Sequence, residues 1–151
     1  MKINKINFTI LHRIGSNSGE AKYQERFSCD FTVDGESLLN MILKGFGGHY
    51  DFMGCFVRGW SRLNEFSKKQ LLLISPPETN SGRCLLYVCP ECADIGCGAF
   101  GCKISKESDY FIWRDFAYEN DYEEPDLISD VGPFKFNAKE YKEIIERVNA
   151  L

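Results

Sequence analysis

The chain has 151 residues, 44% of them hydrophobic and 26% charged, and its formal net charge at pH 7 is −4. This length and composition are typical of one globular domain, residues 1–151, with a single hydrophobic core, and they exclude a disordered chain. No apolar run approaches the roughly 20 residues needed to span a bilayer. The N-terminus alternates polar and apolar residues and lacks the apolar centre of a signal peptide. We therefore expect a cytoplasmic protein without a membrane span.

Two strands are predicted at the start of the chain. Apolar and polar side chains alternate within residues 3–14 and again within residues 26–33, which is the period of a strand with one buried face. The glycine- and serine-rich residues 15–19 between them predict a hairpin with a long loop. Ser37 then predicts the N-cap of a short helix, and Gly45 predicts its end.

The middle of the chain carries weaker signals. Residues 45–54, GFGGHYDFMG, are rich in glycine and aromatic residues but lack the Gly-Lys-Ser/Thr ending of a phosphate-binding loop. We predict a surface loop there. Residues 64–70 predict a helical turn that leads into an apolar run.

Three strands are predicted in the second half. They cover residues 85–89, 99–105 and 110–118, and residues 106–109 predict a hairpin loop between the last two. The last strand, YFIWRDFAY, has large apolar side chains at both odd and even positions. Both of its faces are therefore expected to be buried, which places it inside the sheet.

A C-terminal helix is the clearest prediction. Asn137 predicts the N-cap, and Glu140 three residues later completes a capping-box pattern. Apolar residues then recur at helical spacing on one face, at Tyr141, Ile144, Ile145, Val148 and Leu151. The predicted fold is α+β, an antiparallel β-sheet with a few helices and this amphipathic C-terminal helix packed on the sheet.

The negative charge is local. Residues 119–130, ENDYEEPDLISD, carry six carboxylates and no basic residue, whereas the rest of the chain has 18 basic and 16 acidic residues. Such a face disfavours direct nucleic-acid binding and favours a basic protein partner. A solvated acidic loop is the alternative. The candidate partner-binding residues are Tyr118, Glu119, Asp121, Tyr122, Glu123, Glu124 and Asp126.

Four of the seven cysteines fall within residues 89–102, CPECADIGCGAFGC. The C-x2-C-x4-C-x4-C spacing is that of a zinc knuckle, with candidate ligands Cys89, Cys92, Cys97 and Cys102 for one structural zinc. The loop lacks the basic and aromatic residues with which a knuckle binds RNA. Cys102 also falls inside a predicted strand, where its side chain can face the core.

Two other interpretations of these cysteines stay open. One is a set of small buried thiols beside a turn, with no cofactor at all. The other is a redox pair formed by Cys89 and Cys92, although the three glycines that follow Cys92 disfavour the helix that activates such a pair.

Few other residues suggest catalysis, and we predict no catalytic residue. His12 lies in a strand pattern, and His49 and Cys55 are a pair whose geometry nothing in the sequence sets. The acidic segment contains no calcium-binding Asp-x-Asp-x-Asp-Gly loop.

Three blocks in order carry a family resemblance: LLYVCPECADIGCGA, FIWRDFAYENDYE and GPFKFNAKEYKEII. Together they resemble a family of small uncharacterised bacterial proteins with a CPEC-x-x-x-GCG loop, a Trp-x-Asp-Phe strand and a Gly-Pro-Phe-x-Phe lead-in to a C-terminal helix. The resemblance covers roughly the last seventy residues. It implies no catalytic activity, and it implies that the counterparts of Cys89, Cys92 and Cys97 are typical whereas that of Cys102 is often aliphatic.

Small acidic bacterial proteins of this kind are similar in character to immunity proteins. The expectation is thus a non-enzymatic inhibitor of a cognate toxin, such as a nuclease of a contact-dependent growth inhibition system. Its acidic, aromatic surface would cover the basic site of the toxin. A structural zinc-binding module and a thiol redox protein are the alternatives.

Overall fold

The computed structural model describes residues 1–16, 23–47 and 51–151. The predicted loops at residues 15–19 and 45–54 lie partly outside this range, and His49 lies outside it entirely. Within the described residues the fold is α+β, as predicted. The strands are β1 Ile6–Arg13, β2 Arg26–Val33, β3 Glu36–Ser37, β4 Met53–Gly54, β5 Cys84–Val88, β6 Ala99–Glu107, β7 Tyr110–Glu119, β8 Asp126–Leu127 and β9 Phe134–Asn137. The helices are α1 Leu38–Phe46, α2 Ser61–Leu71 and α3 Ala138–Asn149, with a short 3₁₀ helix at Ile95–Cys97.

The first sheet confirms the predicted hairpin. β1 and β2 pair antiparallel from Ile6 opposite Val33 to Arg13 opposite Arg26, and β3 adds a short third strand beside β2. β2 has the predicted bounds, whereas β1 begins three residues later than the alternation suggested.

The second sheet has the order β4-β5-β6-β7-β8, and all its pairs are antiparallel. β9 also pairs with β7, along its first residues, whereas β8 pairs with its last residues. β7 therefore lies inside the sheet, as its two apolar faces predicted. The simple alternation along β7 is interrupted at Asp115, whose φ of 56° accompanies a register shift against β6. As a result Phe116 joins the same hydrophobic cluster as Phe111 and Trp113.

The two sheets meet at β2 and β4. The Gly54 N–H donates to the Ser28 hydroxyl (2.9 Å), and the Cys29 N–H donates to the Phe56 carbonyl (3.0 Å). A Cβ at position 54 would overlap the Cys29 carbonyl oxygen, so the close approach of the strands requires glycine. Both sheets bury side chains in one hydrophobic cluster, which places the main core between them.

The C-terminal helix is confirmed in its cap and its apolar face. The Asn137 side chain accepts the Glu140 N–H (3.1 Å), and Tyr141, Ile144, Ile145 and Val148 are buried. The Tyr141 hydroxyl donates to the Leu71 carbonyl at the end of α2 (2.7 Å) and accepts from the Trp113 indole (3.1 Å). These bonds attach α3 to both α2 and the second sheet.

The other two helices differ in length from their predictions. Ser37 caps α1 as predicted, accepting the Asn40 N–H (3.1 Å), but the helix runs through Gly45. It ends one residue later because Gly47, with φ of 75°, donates its N–H back to Leu43. The helical turn predicted at residues 64–70 is part of the longer α2. None of the described helices has the length and apolar character to cross a membrane.

Candidate metal centre

Three of the four predicted cysteine ligands come together. The sulfur atoms of Cys89, Cys92 and Cys97 all lie within 4.8 Å of one another, and those of Cys92 and Cys97 are 3.3 Å apart. Cys89 follows the last residue of β5 and is half-buried, while Cys92 and Cys97 are exposed. A cluster of three thiols at one rim of the second sheet is a donor set for a thiophilic metal.

Two tight backbone turns bring these sulfurs together. The Ala93 N–H donates to the Cys89 carbonyl (2.9 Å), and Ala93 has a left-handed φ of 59° that reverses the chain after Cys92. The 3₁₀ helix Ile95–Cys97 then turns Cys97 back toward the first pair, and Gly98, with φ of 94°, leads into β6. The glycine-containing segment after Cys92 thus forms a compact turn that reverses the chain, and it does not form an α-helix.

Two arginines fix the loop to the first sheet. Arg13 of β1 makes a bidentate pair with Asp51 (both 2.9 Å) and also donates to the Glu91 carboxylate (2.8 Å). Arg26 of β2 donates to the Pro90 carbonyl (2.9 Å). The Arg26 guanidinium also lies over the Trp60 ring, 4.9 Å from its centroid. The loop is therefore held in place by groups outside the cysteines themselves.

The environment of Cys89 favours a thiolate. Partial burial raises the pKa of this thiol, but hydrogen bonds from the backbone N–H groups of Glu91 and Cys92 outweigh burial, with help from the Cys92 and Cys97 thiols. The net result is a Cys89 pKa below its ordinary value. Backbone N–H donors that point at a cysteine sulfur stabilise negative charge there.

Cys97 shows the opposite tendency. Its hydrogen bonds with the Cys92 and Cys89 sulfurs, followed by their negative charge, raise the pKa of Cys97 to about 12. Three thiolates at this separation repel one another, so the third one stays protonated unless a cation neutralises the group. The cluster is therefore chemically suited to a bound metal ion.

Cys102 does not belong to this centre, so the prediction of four cysteine ligands is wrong for this residue. Cys102 is fully buried in β6, directly opposite Cys84 of β5, within the main hydrophobic cluster. Burial, and then the neighbouring thiols of Cys84 and Cys55, raise its pKa well above the ordinary value. The cysteine sulfurs that lie within 4.8 Å of one another are those of Cys89, Cys92 and Cys97, and the Cys102 sulfur is not among them.

The acidic segment lies beside the cysteine loop, with most of its carboxylates in water. Asp121, Glu123, Glu124 and Asp126 are exposed, and none of them forms an ion pair with a basic side chain of the described residues. Tyr122 is 80% exposed. These residues form an accessible anionic surface with an aromatic group, which we call the acidic face.

Glu119, a predicted partner-binding residue, is not part of that surface. Its side chain is only 8% exposed; it accepts from the Ser81 hydroxyl (2.9 Å) and lies 3.9 Å from the Arg83 guanidinium. Arg83 is equally buried and also donates to the Asp115 carbonyl (2.6 Å). A buried, paired carboxylate is held for the fold and is not available to a partner.

Two tyrosines join the acidic segment to the cysteine loop. The half-buried Tyr118 packs its ring against Phe46 and Phe100, and its hydroxyl fills the space that a side chain at position 98 would occupy. The Tyr122 hydroxyl lies 3.4 Å from where a Cβ at position 96 would stand. Gly96 and Gly98 flank Cys97, so the Cys97 segment lies next to both tyrosines.

Negative charge continues from the acidic face onto the loop. Partial loss of hydration raises the pKa of Glu78, and the charges of Asp94 in the loop and Asp121 in the acidic face add to that rise. These three carboxylates therefore share one region of negative potential.

The remaining candidates from the sequence do not form a second site. His12 is an exposed strand residue, as predicted, stacked on Phe27 and 2.8 Å from the Glu25 carboxylate. Burial raises the pKa of Cys55 to about 12, which leaves its thiol unreactive. His49, its imagined partner, lies outside the described residues.

The anchors Arg13 and Arg26 were not among the residues that the sequence patterns indicate. Each is a strand arginine whose partner in the loop is more than sixty residues away, and no local spacing marks such a contact. A search of protein-family models, of curated proteins and of solved structures found no match to this chain.

Proposed function

We propose that this chain is a zinc-binding protein in which Cys89, Cys92 and Cys97 supply three thiolate ligands. The observation that carries the proposal is the convergence of three sulfurs within 4.8 Å on an anchored loop. A tetrahedral zinc ion with zinc–sulfur bonds of about 2.3 Å holds its sulfurs about 3.8 Å apart. Small side-chain rotations accommodate that spacing without moving the loop.

The role of the metal is structural. Zinc neutralises three thiolates and stabilises the turn between β5 and β6, and through Gly98 it stabilises the packing of Tyr118. The described residues contribute no further His, Cys, Asp or Glu side chain within 4.8 Å of all three sulfurs. The fourth position is accordingly assigned to a ligand from outside this set.

Metal analysis of the purified protein tests the proposal. We expect close to one zinc per chain, lost on treatment with a strong chelator, and each of Cys89→Ser, Cys92→Ser and Cys97→Ser should abolish tight binding. Cys102→Ala is the matched control and should retain one zinc. A wild-type chain that takes up no zinc when metal is supplied under reducing conditions would refute the proposal.

A second candidate function is recognition of a basic protein, and the acidic face favours it. Four exposed carboxylates without ion-pair partners among the described residues neighbour the exposed Tyr122 along the chain, as does Leu127, which is 65% exposed. Carboxylates of this kind accelerate association with a cationic surface, and an aromatic side chain provides contact area. An immunity-type inhibitor of a toxin with a basic active site, such as a nuclease, fits this chemistry.

Charge reversal tests this second function. The partner to try is a basic toxin domain encoded beside the gene for this chain. Replacing Asp121, Glu123 and Glu124 with Lys should weaken binding by about 100-fold or more, mostly at low salt. The control variant reverses three exposed carboxylates elsewhere, at Glu36, Glu65 and Glu143, and alters the net charge equally. Equal affinity of the two variants would exclude the acidic face as the binding surface.

A further inference from the structure

Cys92 and Cys97 differ from the other five cysteines in two respects. Their sulfur atoms are only 3.3 Å apart, and both residues are exposed. Cys29, Cys55, Cys84 and Cys102 are buried at 2% exposure or less, and Cys89 is half-buried. The exposed pair is thus the one that a small solute reaches from solvent.

We propose that Cys92 and Cys97 form an oxidation site at which a peroxide converts the two thiolates into a disulfide and thereby releases the metal. The release step rests on the proposed zinc site, whereas the formation of the disulfide does not. The site thus takes two kinds of reactant: a thiophilic cation that the reduced sulfurs bind, and a two-electron oxidant that the exposed sulfurs attack.

The geometry supports a direct bond between these two sulfurs. A disulfide has a sulfur–sulfur bond of about 2.05 Å, so the pair must close by about 1.3 Å from its separation of 3.3 Å. Gly96 and Gly98 flank Cys97, so neither neighbouring residue carries a side chain that hinders a small rotation at Cys97. The Tyr118 hydroxyl beside Gly98 is the contact that such a rotation displaces. The two sulfurs therefore lie near the separation of a pair of zinc ligands and can also approach to the length of a disulfide bond.

Cys89 is the less suitable partner. Its sulfur accepts backbone N–H bonds from Glu91 and Cys92, and the adjacent Pro90 is buried and bonded to Arg26. These contacts hold Cys89 at the end of β5, whereas Cys92 and Cys97 lie on the outer part of the loop. We therefore expect Cys89 to remain a thiol when the other two are oxidised.

The reaction balances with the oxidant alone. One sulfur attacks a peroxide oxygen, the O–O bond breaks, and a sulfenic acid and one water form. The second sulfur then attacks the sulfenic sulfur, the S–S bond forms, and the oxygen leaves as a second water. The two sulfurs lose two electrons and the peroxide gains them. The two protons come from solvent when zinc holds the sulfurs as thiolates, and from the thiols themselves when they are protonated. Zinc keeps its charge and dissociates, because Cys89 alone is left to bind it.

Oxidation would also act on the acidic face. Cys97 lies between Gly96, near the Tyr122 hydroxyl, and Gly98, whose missing side chain leaves room for the Tyr118 hydroxyl, so closing the disulfide moves the loop relative to both tyrosines. The expected consequence is a change in the environment of Tyr122, which is detectable by nuclear magnetic resonance in the full chain.

The test treats zinc-loaded and metal-free full-length protein with hydrogen peroxide. We expect the intact mass of both forms to fall by about 2 Da. Peptide mapping should assign the disulfide to Cys92 and Cys97 in both forms. In the zinc-loaded form, a zinc indicator should report one zinc ion released per disulfide formed. A dithiol reductant should restore the mass and the zinc binding. Cys92→Ser and Cys97→Ser should form no link, whereas Cys89→Ser should still form it.

The outcomes separate the two proposals. A link that involves Cys89, or oxidation to sulfinic acid without any disulfide in both forms, would overturn the oxidation site. A chain that takes up no zinc yet forms the link between Cys92 and Cys97 would overturn the zinc site and support the oxidation site. Oxidised protein that retains its zinc would overturn the release step.

Discussion

Tyr118 and Gly98 interlock at the junction of the cysteine loop and the acidic segment. The Tyr118 hydroxyl occupies the space that a side chain at position 98 would fill, and Gly98 has a φ of 94° that disfavours any other residue. This contact connects the proposed metal centre to the proposed binding surface. Its removal should therefore affect both.

The variant Gly98→Ala tests that connection. We expect it to lower the free energy of unfolding by about 3 kcal/mol, because strain of the left-handed backbone adds to the clash with Tyr118. Gly82→Ala is the control, since Gly82 has a similar φ of 87° but no atom lies within 4 Å of the added Cβ. This variant should cost only about 1 kcal/mol. The double variant Gly98→Ala with Tyr118→Ala should be less destabilised than the sum of the two single variants, because the clash is absent once the ring is removed. Equal effects of Gly98→Ala and Gly82→Ala in urea unfolding would mean that the interlock contributes nothing.

Glu119 and Glu123 should respond differently to the same substitution. Glu119→Lys puts a second cation beside the buried Arg83 and should lower the free energy of unfolding by about 3 kcal/mol. Glu123→Lys changes an exposed side chain and should alter stability by less than about 0.5 kcal/mol. Thermal and urea unfolding of both variants give the comparison. Two equally stable variants would place Glu119 on the surface.

Arg13 should influence metal affinity without binding the metal. Arg13→Lys retains the charge but loses the planar fork that contacts Asp51 and Glu91 together, so the loop should lose order. We expect one zinc per chain with an affinity about 10-fold lower, measured by competition with a chelator of known affinity. Arg58→Lys, at an exposed arginine over the Phe27 ring, is the control and should leave the affinity unchanged. An unaltered affinity in Arg13→Lys would show that the anchor does not support the site.

Gly54 should be among the least replaceable residues of the fold. A Cβ at this position overlaps the Cys29 backbone, which cannot move without separating the two sheets. Gly54→Ala should therefore lower the free energy of unfolding by at least about 3 kcal/mol. Gly59→Ala is the opposite case: its φ of 88° introduces backbone strain, but no atom lies within 4 Å of the added Cβ, so it should cost only about 1 kcal/mol. A stable Gly54→Ala variant would contradict the described contact between β2 and β4.

Local patterns predicted the elements whose structure depends on nearby residues. The Asn137 cap, the apolar face of α3 and the bounds of β2 all follow from residues within a few positions of one another. The same holds for Cys89, Cys92 and Cys97, which two successive turns bring together. In each case the interaction that forms the structure is short in sequence.

The errors arise where a distant partner or an inserted residue decides the outcome. The local charge pattern predicts Glu119 on the surface. Its burial depends on Arg83, which lies 36 positions away and which no local pattern relates to it. The spacing puts Cys102 in the predicted metal set, while the predicted strand at residues 99–105 already contains it. The pairing of β6 with β5, which places Cys102 opposite Cys84, decides between the two, and this pairing is not visible in the spacing. The bulge at Asp115 shifts Phe116 into the core, which a strict two-residue alternation along β7 does not predict.

X-ray absorption at the zinc edge of the loaded protein tests the central claim most directly. The account predicts three sulfur ligands at about 2.3 Å and one nitrogen or oxygen ligand at about 2.0 Å, with the same spectrum for Cys102→Ala. Four sulfur ligands in the wild-type chain that fall to three in Cys102→Ala would contradict the trithiolate centre. A chain that retains no zinc for the measurement would contradict the metal site as a whole.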